Sequence, residues 1–563
     1  MASSLFKVNS EQIDLVRDHV WELEPWWLYN ITSAPNKELN NAQVPLYLGS
    51  MVGGSSAVNG MQSIRGTSED YDRWGSFFGE SSTWSWEGML PYFKKALHFQ
   101  HPPKQVLDDM PGLQYDESYW GMTSKIYAGW PSFQWPGIKY QFEAFTALPG
   151  VEVPSDSGVG KAGVYWYPTF MDGEVSVNRS YARTGHWDNL DRDNYDLITG
   201  SKVTNIVLEE NKAVGVAFRP RDEEEAELTT VRARREVILS AGSIHSPQIL
   251  QLSGIGPRKL LKEAGIETKI DLPGVGQNFH DHTAVRQPIE YRNYTLRPNH
   301  RDDFNDPGFR AWADELWEAN RTGPWSIGLW NAGAWLGMPA VSPSEFEAIA
   351  AKADAQNAAD YLPEGTHPTV VAGYQARLAR LADAIRSENT IFYSHYFSGD
   401  EPVFYFTFEH PLSTGTVNIN VSSPASEPVV DYRTYSNPVD LDLTIEMMRF
   451  HRRVNLESPI LVQFDPVEVA PGTNITSRED LIEYLRDNTE PSAMHPSGTC
   501  AMLPLELGGV VDEDLRVYGV DGLRVVDASV MSIIVGSNIC GPVYAIAEKA
   551  ADLIKRDWSN GSD

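Results

Sequence analysis

Two polar side chains near the carboxyl end of the chain could form a proton-transfer site. His495 lies in MHPSGTCAM and Asn538 lies in VGSNICGP. An imidazole accepts a proton near neutral pH, and an amide can hold an oxygen atom by a hydrogen bond. A histidine before proline, or an asparagine after Gly-Ser, can equally be a loop residue that satisfies the backbone. The two residues are far apart in the chain, so the surrounding segments must decide between these interpretations.

Four segments, in order along the chain, resemble signatures of the glucose-methanol-choline (GMC) family of flavin oxidoreductases. Two are LYLGSMVGGSSAVNGMQSIRGTSEDYDRW at 46–74 and AGSIHSPQILQLSGIG at 241–256, and two surround His495 and Asn538. GVGQNFHDH at 274–282 and NRTGPW at 320–325 extend the likeness. In this family a histidine and a second histidine or asparagine face the reactive edge of FAD. The resemblance implies that His495 takes the hydroxyl proton of an alcohol while a hydride leaves for the flavin, with Asn538 positioning the substrate oxygen.

The resemblance also assigns residues to the flavin site. Gly53, Gly54 and Ser55 have little or no side chain to clash with a flat ring. The positions at which the family contacts its cofactor are, in this chain, Ser55, Asn59, Gly60, Gln62, Val203, Asp527 and Ala528. Members with covalently attached flavin have a histidine just before the signature asparagine, where this chain has Val58. We therefore expect FAD to bind noncovalently.

The chain departs from the family at its start. Members begin with a strand, a G-x-G-x-x-G turn, a helix and a second strand ending in an acidic residue that holds the ribose. Among residues 1–50 the only glycine is Gly49. Such a turn supplies the helix N-terminus that holds the pyrophosphate. We therefore expect the chain as written to bind FAD poorly or not at all.

Three explanations of this departure stay open. The start is truncated or mispredicted, and the biological protein carries the nucleotide-binding unit. The protein binds FAD weakly through what remains. Or it is a flavin-free relative that keeps the pocket for another use.

Composition excludes several classes of function. A net charge of −30 argues against a nucleic-acid partner, because phosphate binding needs a cationic face. Hydrophobic residues make up 42% of the chain and there are 17 tryptophans, which is enough for a large core. No uninterrupted apolar stretch reaches about 18 residues, so we expect no membrane span. The most apolar segment, 528–547, is interpreted as a buried strand, a loop and a helix.

Cysteine and histidine usage is unremarkable. Cys500 and Cys540 are the only cysteines; they could meet near the site, but are interpreted as small buried hydrophobes. The 13 histidines show no metal-ligand spacing, and we expect no metal site. No signal peptide is visible, yet Asn-x-Ser/Thr sequons occur at Asn30, Asn178, Asn293, Asn320, Asn420, Asn474 and Asn560. A lost secretion signal would reconcile the two observations; otherwise the protein is cytoplasmic.

The predicted fold is mixed α/β, with a Rossmann-like FAD-binding lobe that is incomplete at its N-terminus and a substrate lobe built on an antiparallel sheet. REVILS at 235–240 predicts a buried strand before a glycine turn and helix, and the segment 200–220 predicts a hairpin around EENK. Helical periodicity dominates 298–400. The predicted segments are 1–75, 190–285 and 500–563 for the FAD-binding lobe, 76–189 for a cap and part of the substrate lobe, and 286–499 for the substrate lobe.

The resemblance implies FAD-dependent oxidation of a primary or secondary alcohol, an aromatic compound or an intermediate of secondary metabolism. Fungal aryl-alcohol oxidases and secondary-metabolite dehydrogenases are the members most similar in pattern. A small-molecule alcohol is the only expected partner. Two alternatives stay open: a lyase or cyclase in which the flavin is structural or absent, and a catalytically silent homologue.

Overall fold

A computed structural model of the protein describes residues 27–188, 190, 192–299, 306–399 and 403–559. Residues 1–26, which belong to the segment that lacks a G-x-G-x-x-G turn in the sequence, lie outside the described residues, as does the sequon at Asn560. In the part of the chain that is described, no helix is long and apolar enough to cross a bilayer.

The described chain contains many short helices and strands. The α-helices, numbered in chain order, are α1 Ser68–Ser76, α2 Trp86–Ala96, α3 Lys104–Asp109, α4 Ile138–Thr146, α5 Ala182–His186, α6 Gly242–Leu252, α7 Arg258–Glu263, α8 Pro307–Asn320, α9 Met338–Val341, α10 Phe346–Asp354, α11 Pro368–Arg386, α12 Val439–Glu457, α13 Arg478–Asn488 and α14 Cys540–Ser559. The strands are β1 Ile31–Thr32, β2 Pro45–Leu46, β3 His98–Phe99, β4 Tyr127–Ala128, β5 Gly163–Trp166, β6 Ser201–Glu209, β7 Lys212–Pro220, β8 Thr229–Arg232, β9 Val237–Leu239, β10 Ile255–Gly256, β11 Ile270–Asp271, β12 Thr283–Tyr291, β13 Ala332–Leu336, β14 Tyr393–Tyr396, β15 Val403–Phe408, β16 Thr416–Asn418, β17 Val429–Asp431, β18 Pro466–Glu468, β19 Thr489–Glu490 and β20 Leu523–Val525.

The largest sheet is antiparallel and has the strand order β18-β12-β15-β14-β13-β5, with β19 also paired to β12. Along β12 the buried positions alternate, as expected of a strand with one face on the core. The register pairs Thr283 with Phe408, so the start of β12 lies beside the end of β15. The sheet and the helices packed on it share one large hydrophobic core, which confirms the antiparallel-sheet lobe predicted from the sequence.

A second core joins segments from both ends of the described chain. β9 pairs in parallel with β20, and the antiparallel strands β6, β7 and β8 lie in a separate sheet beside them. Hydrophobic side chains of α1, α2 and α14 complete this core. The arrangement is the mixed α/β lobe that the sequence predicts, while the lobe boundaries along the chain stay a prediction.

Several local predictions are confirmed and one is wrong. β6 and β7 form the hairpin around EENK, and β9 leads through a glycine turn into α6. Helices α8, α10 and α11 occupy the region predicted to be helical. The segment 528–547, in contrast, begins with a 3-10 turn at Ala528–Val530, because its strand ends earlier, at Val525. Asp527 breaks that strand by turning its carboxylate back onto the amide of Ser529.

A buried charge cluster fastens the C-terminal helix to the second core. Arg524, on β20, is nearly fully buried; its Nε lies 2.7 Å from Glu236 Oε2, and its guanidinium also pairs with Asp557 on α14. Its Nη1 donates to the Asp514 carbonyl over 2.6 Å. One guanidinium therefore ties β20 to the residue before β9 and to α14.

We expect Arg524→Met to lower the free energy of unfolding by about 3 to 5 kcal/mol, because Glu236 is left buried without its partner. Urea denaturation followed by tryptophan fluorescence measures the loss. The control is Arg232→Met, which removes an ion pair to Glu209 whose arginine is 64% exposed; it should cost less than about 1 kcal/mol. Similar small losses for both variants would contradict the stabilising role of the cluster.

Candidate active site

His495 and Asn538 lie on two loops at the border between the two cores. His495 follows β19, and Asn538 lies just before α14. Asn538 Nδ2 is 3.2 Å from His495 Nε2, and both side chains are partly exposed. The structure thus brings together the two residues that the sequence singled out.

Asp281 fixes the backbone of His495. The His495 amide donates to Asp281 Oδ1 over 2.9 Å, and Ser492 Oγ donates to Asp281 Oδ2 over 2.6 Å. The loop is further held by paired backbone hydrogen bonds between His280 and Ser497. Burial raises the pKa of Asp281 to about 7 although both hydrogen bonds favour the carboxylate.

The inner edge of the His495 ring meets His282. The two Nδ1 atoms are 2.9 Å apart, and His282 Nε2 lies 3.0 Å from the Val535 carbonyl oxygen. Desolvation lowers the pKa of His495 to about 3, and repulsion from His282 adds to the effect. His495 is therefore neutral at physiological pH, the state in which an imidazole accepts a proton.

Glu409 lies behind His282. Its Oε2 is 3.0 Å from His282 Nδ1, and both side chains are almost completely buried. Burial disfavours the imidazolium, but attraction to the Glu409 carboxylate outweighs burial and raises the pKa of His282. The pKa of Glu409 is lowered because His282 and a hydrogen bond from Ser394 outweigh its desolvation.

The Asn538 amide is oriented by an aromatic residue of the large sheet. Tyr396 Oη, on β14, donates to Asn538 Oδ1 over 2.8 Å, which turns Nδ2 toward His495. The Tyr396 ring stacks on Trp330, with the ring centroids 5.8 Å apart. The preceding loop is held where Gly536 donates to the buried Asp70 carboxylate over 3.2 Å.

The glycine-rich segment 53–62 lies beside the start of α14. Gly54 has φ +54°, and a Cβ built on it would meet nothing within 4 Å, so its surface is open. A Cβ on Gly53 would instead lie 2.8 Å from the Tyr181 ring. Ser55 Oγ accepts from the Gly49 amide over 3.1 Å. The open face at Gly54 is the kind of surface on which a flat ring can lie.

The other residues of this segment are held by internal contacts. Asn59 Oδ1 accepts from the Met61 amide and from Arg179, each over 3.0 Å. A Cβ on Gly60 would come within 2.6 Å of Gln62 Oε1, so the Gln62 side chain packs closely against this glycine. Burial raises the pKa of Cys540, the first residue of α14, to about 12, and a hydrogen bond with Asn59 opposes this. This contact places the segment close to Asn538.

The remaining predicted flavin residues lie in and around the second core. Val203 lies on β6 and packs against that core. Asp527 accepts from the Gly242 amide over 2.9 Å and from Ser246 Oγ over 2.6 Å, so its carboxylate caps the N-terminus of α6. The Ala528 carbonyl accepts from Gly498 over 3.1 Å, which ties it to the His495 loop. The first amide of α6 is therefore already paired with a side chain of the protein.

These residues fit the ring end of a flavin, and the dinucleotide end is less complete. The open glycine face and the His495–Asn538 pair flank one region. Residues 158–163, GVGKAG, have G-x-G-x-x-G spacing, but they lead into β5 and not into a helix. Within the described ranges, no glycine-rich turn joins a parallel strand to an uncapped helix. How tightly the chain holds FAD stays a prediction.

Sequence reasoning missed His282, Glu409 and Tyr396 as parts of the site. The spacing of the histidines gave no reason to single out His282, and no metal-holding cluster of histidine, cysteine and acidic residues occurs among the described residues. Its contact with His495 spans 213 positions, which no local pattern reports. The HDH string, which lies in a segment with a family resemblance, was the one signal that could have pointed to it.

Comparisons with known proteins identify the family. Family models described as GMC oxidoreductase match residues 30–284 and 411–547. Dehydrogenase xptC of Emericella nidulans is 32% identical over 566 residues, covering 98% of this chain and 89% of the relative. A solved FAD-dependent oxidoreductase from Chaetomium thermophilum superposes with a TM-score of 0.92 at 32% identity, covering 99% of this chain and 94% of the other. A solved fungal aryl-alcohol oxidase gives a TM-score of 0.90 at 36% identity, with 94% and 90% covered.

The raised pKa of Asp281 predicts a pH-dependent stability. The folded state binds this proton more tightly than the unfolded state, so the contribution is complete below pH 3.8 and is lost as the pH rises to about 7. The neutral variant Asp281→Asn should therefore gain stability relative to the unsubstituted protein over this interval, by up to about 4 kcal/mol.

Urea denaturation at several pH values measures the difference. The control is Asp487→Asn, at an exposed position, which should leave the pH profile unchanged. Parallel stability curves for Asp281→Asn and the unsubstituted protein would show that Asp281 is ionised throughout.

Proposed function

The chain belongs to the GMC oxidoreductase family, and we propose that it oxidises a primary or secondary alcohol with noncovalently bound FAD, using His495 as the proton acceptor. The observation that carries the proposal is the contact of 3.2 Å between His495 Nε2 and Asn538 Nδ2. A neutral base and an amide donor this close together can bind one hydroxyl group, the amide holding its oxygen and the base removing its proton. FAD-dependent alcohol oxidation is the general activity that the family supports.

Each side chain has a separate task in this reaction. His495 Nε2 accepts the hydroxyl proton, since the low pKa keeps the imidazole free of a proton beforehand. Asn538 Nδ2 donates to the substrate oxygen and stabilises the charge that develops there as the proton leaves. Tyr396 holds the amide in this orientation through Oδ1. Bound FAD would supply the hydride acceptor.

The residues that would hold the cofactor follow from their positions. The open face at Gly54 would lie against the ring, with Gly53, Ser55, Asn59, Gly60 and Gln62 in the same segment. Val203, Asp527 and Ala528 are the positions that the resemblance assigns to the rest of FAD. Val58, which cannot form a bond to the flavin, supports noncovalent attachment.

An aromatic substrate is supported by the surroundings of Asn538. Trp330 and Tyr396 form a stacked pair, with Tyr396 bonded to the catalytic amide, and Trp330 is partly exposed. A ring bound beside them would gain stacking contacts worth about 0.5–1.5 kcal/mol beyond its buried area. The similarity to a solved fungal aryl-alcohol oxidase is consistent with this class of substrate.

We expect His495→Ala to lower the rate of alcohol oxidation by about 100-fold or more, because the proton acceptor is lost. Asn538→Ala should lower it less, since it removes one hydrogen bond and leaves the base in place. Oxidation of benzylic alcohols by FAD-loaded protein is the assay. The control is His101→Ala, which removes a half-exposed histidine paired with Glu117. A His495→Ala enzyme with near-normal rate would refute the assignment of the base.

Cofactor binding can be tested at Gly54. Asparagine tolerates positive φ, so Gly54→Asn should fold, but its side chain would fill the open face and weaken FAD binding by at least about 10-fold. The matched control is Gly365→Asn, at an exposed glycine with φ +81° and equally open space. Calorimetric titration of FAD into flavin-free protein reports both affinities. Equal affinities would place the ring elsewhere, and no binding by the unsubstituted chain would contradict the proposal that this chain holds FAD.

A further inference from the structure

The contact between His495 and His282 defines where their protons lie. Their Nδ1 atoms are 2.9 Å apart, so a single proton lies between them. His282 Nε2 lies 3.0 Å from the Val535 carbonyl oxygen, which can only accept, so Nε2 carries a proton. When His282 is neutral, its Nδ1 therefore has a free lone pair and accepts the proton carried by His495 Nδ1.

The contact at His495 Nε2, on the other edge of the ring, also indicates that the proton of His495 is on Nδ1. Asn538 Nδ2 donates to His495 Nε2, because Tyr396 holds the amide oxygen on the other side. His495 Nε2 therefore carries no proton, and its lone pair, which faces the Asn538 amide in this structure, is available to a substrate hydroxyl that takes the place of the amide. Both contacts of His495 thus select the tautomer that can act as a base.

Glu409 is placed to respond to a charge on His282. Its Oε1 accepts from Ser394, while among the described residues the buried Oε2 has no partner other than His282. Oε2 lies 3.0 Å from His282 Nδ1, the atom that faces His495. A buried carboxylate oxygen beside a lone pair is unfavourable, and the same contact becomes favourable once Nδ1 carries a proton.

We propose that His282 and Glu409 form the inner half of a two-step proton relay for alcohol oxidation. In the first step the substrate O–H bond breaks and an N–H bond forms at His495 Nε2. In the second the N–H bond at His495 Nδ1 breaks and one forms at His282 Nδ1. The positive charge then resides on His282 beside Glu409, and His495 is left neutral. The reverse order returns the proton after product leaves; this inference rests on the proposed function.

The electrostatic surroundings favour charge on the inner ring. Besides Glu409 and His495, the titratable groups facing His282 are Asp281 and His280, with the His410–Asp70 pair beyond. Burial lowers the pKa of His280, so it adds no positive charge at neutral pH. The pKa of His282 is raised and that of His495 is lowered, so the second step runs downhill.

Nitrogen-15 NMR of histidine-labelled, flavin-free protein tests the tautomers without turnover. The two rings are assigned by loss of signals in His495→Gln and His282→Asn. At a pH above the raised pKa of His282, we expect His495 protonated at Nδ1 and His282 at Nε2. In His282→Asn the Oδ1 atom can take the place of Nδ1 as acceptor, so His495 should keep its tautomer. Protonation of His495 at Nε2 in the unsubstituted protein would overturn the proposal.

Kinetic measurements distinguish a proton relay through His282 from a role in which His282 only holds His495 in place. His282→Asn accepts a hydrogen bond but no proton, and should lower kcat by about 10-fold or more. Glu409→Gln should lower kcat similarly and also move the acid limb of the kcat/KM profile down by about one pH unit, since the inner ring loses the charge that raises its pKa. Glu409→Asp keeps a carboxylate, so its acid limb should lie close to that of the unsubstituted protein.

The control is His451→Gln, which removes an equally buried histidine bonded to Tyr393 and should leave the pH limb unchanged. A normal kcat in His282→Asn, or an unmoved limb in Glu409→Gln, would overturn the relay. If the unsubstituted protein oxidises no alcohol, the proposed function fails, and the NMR result still stands by itself.

Discussion

The site depends on keeping His495 out of water while leaving one of its nitrogens accessible. Desolvation holds the ring neutral, with a pKa of about 3, and a neutral ring must then have its single proton on the inner nitrogen. Three neighbours meet this requirement: Asp281 fixes the backbone, His282 accepts at Nδ1, and the Asn538 amide faces Nε2. Asp281 and His282 are adjacent in one segment and Asn538 comes from another, so the packing between these two segments determines the protonation state.

Buried charge in this region is compensated in pairs. Glu409 lies against His282, and Asp70 lies 3.0 Å from His410, so two carboxylates and two imidazoles share a dry interior. Burying such pairs costs free energy that better-packed apolar residues would not cost. The pair at Asp70 also receives the Gly536 amide and so fixes the loop that ends at Asn538. The Asp70–His410 pair therefore helps to position the loop before Asn538, while the Glu409–His282 pair raises the proton affinity of His282.

The sequence was sufficient for the parts of the molecule that depend on neighbouring residues. The hairpin around EENK, the strand before α6 and the histidine–asparagine pair were all predicted, the last because family signatures surround both residues. His282, Glu409 and Tyr396 were not predicted, since their roles come from contacts across more than one lobe. The error at 528–547 has a local cause: apolar residues suggested a strand, but Asp527 bonds to Ser529 and turns the backbone. Short apolar runs do not distinguish these possibilities.

The parallel pairing of β9 with β20 has a consequence for the order in which the protein assembles. Asp527, just after β20, caps α6 across 285 positions of sequence, so the second core lacks one of its two parallel strands until the last segment of the chain is made. During synthesis the apolar residues around β9 stay exposed until β20 has been made. The antiparallel sheet can form earlier, because its strands are closer together in the sequence. The lobe that begins first along the chain is thus the one completed last. Its folding in the cell depends on protection from aggregation through most of translation.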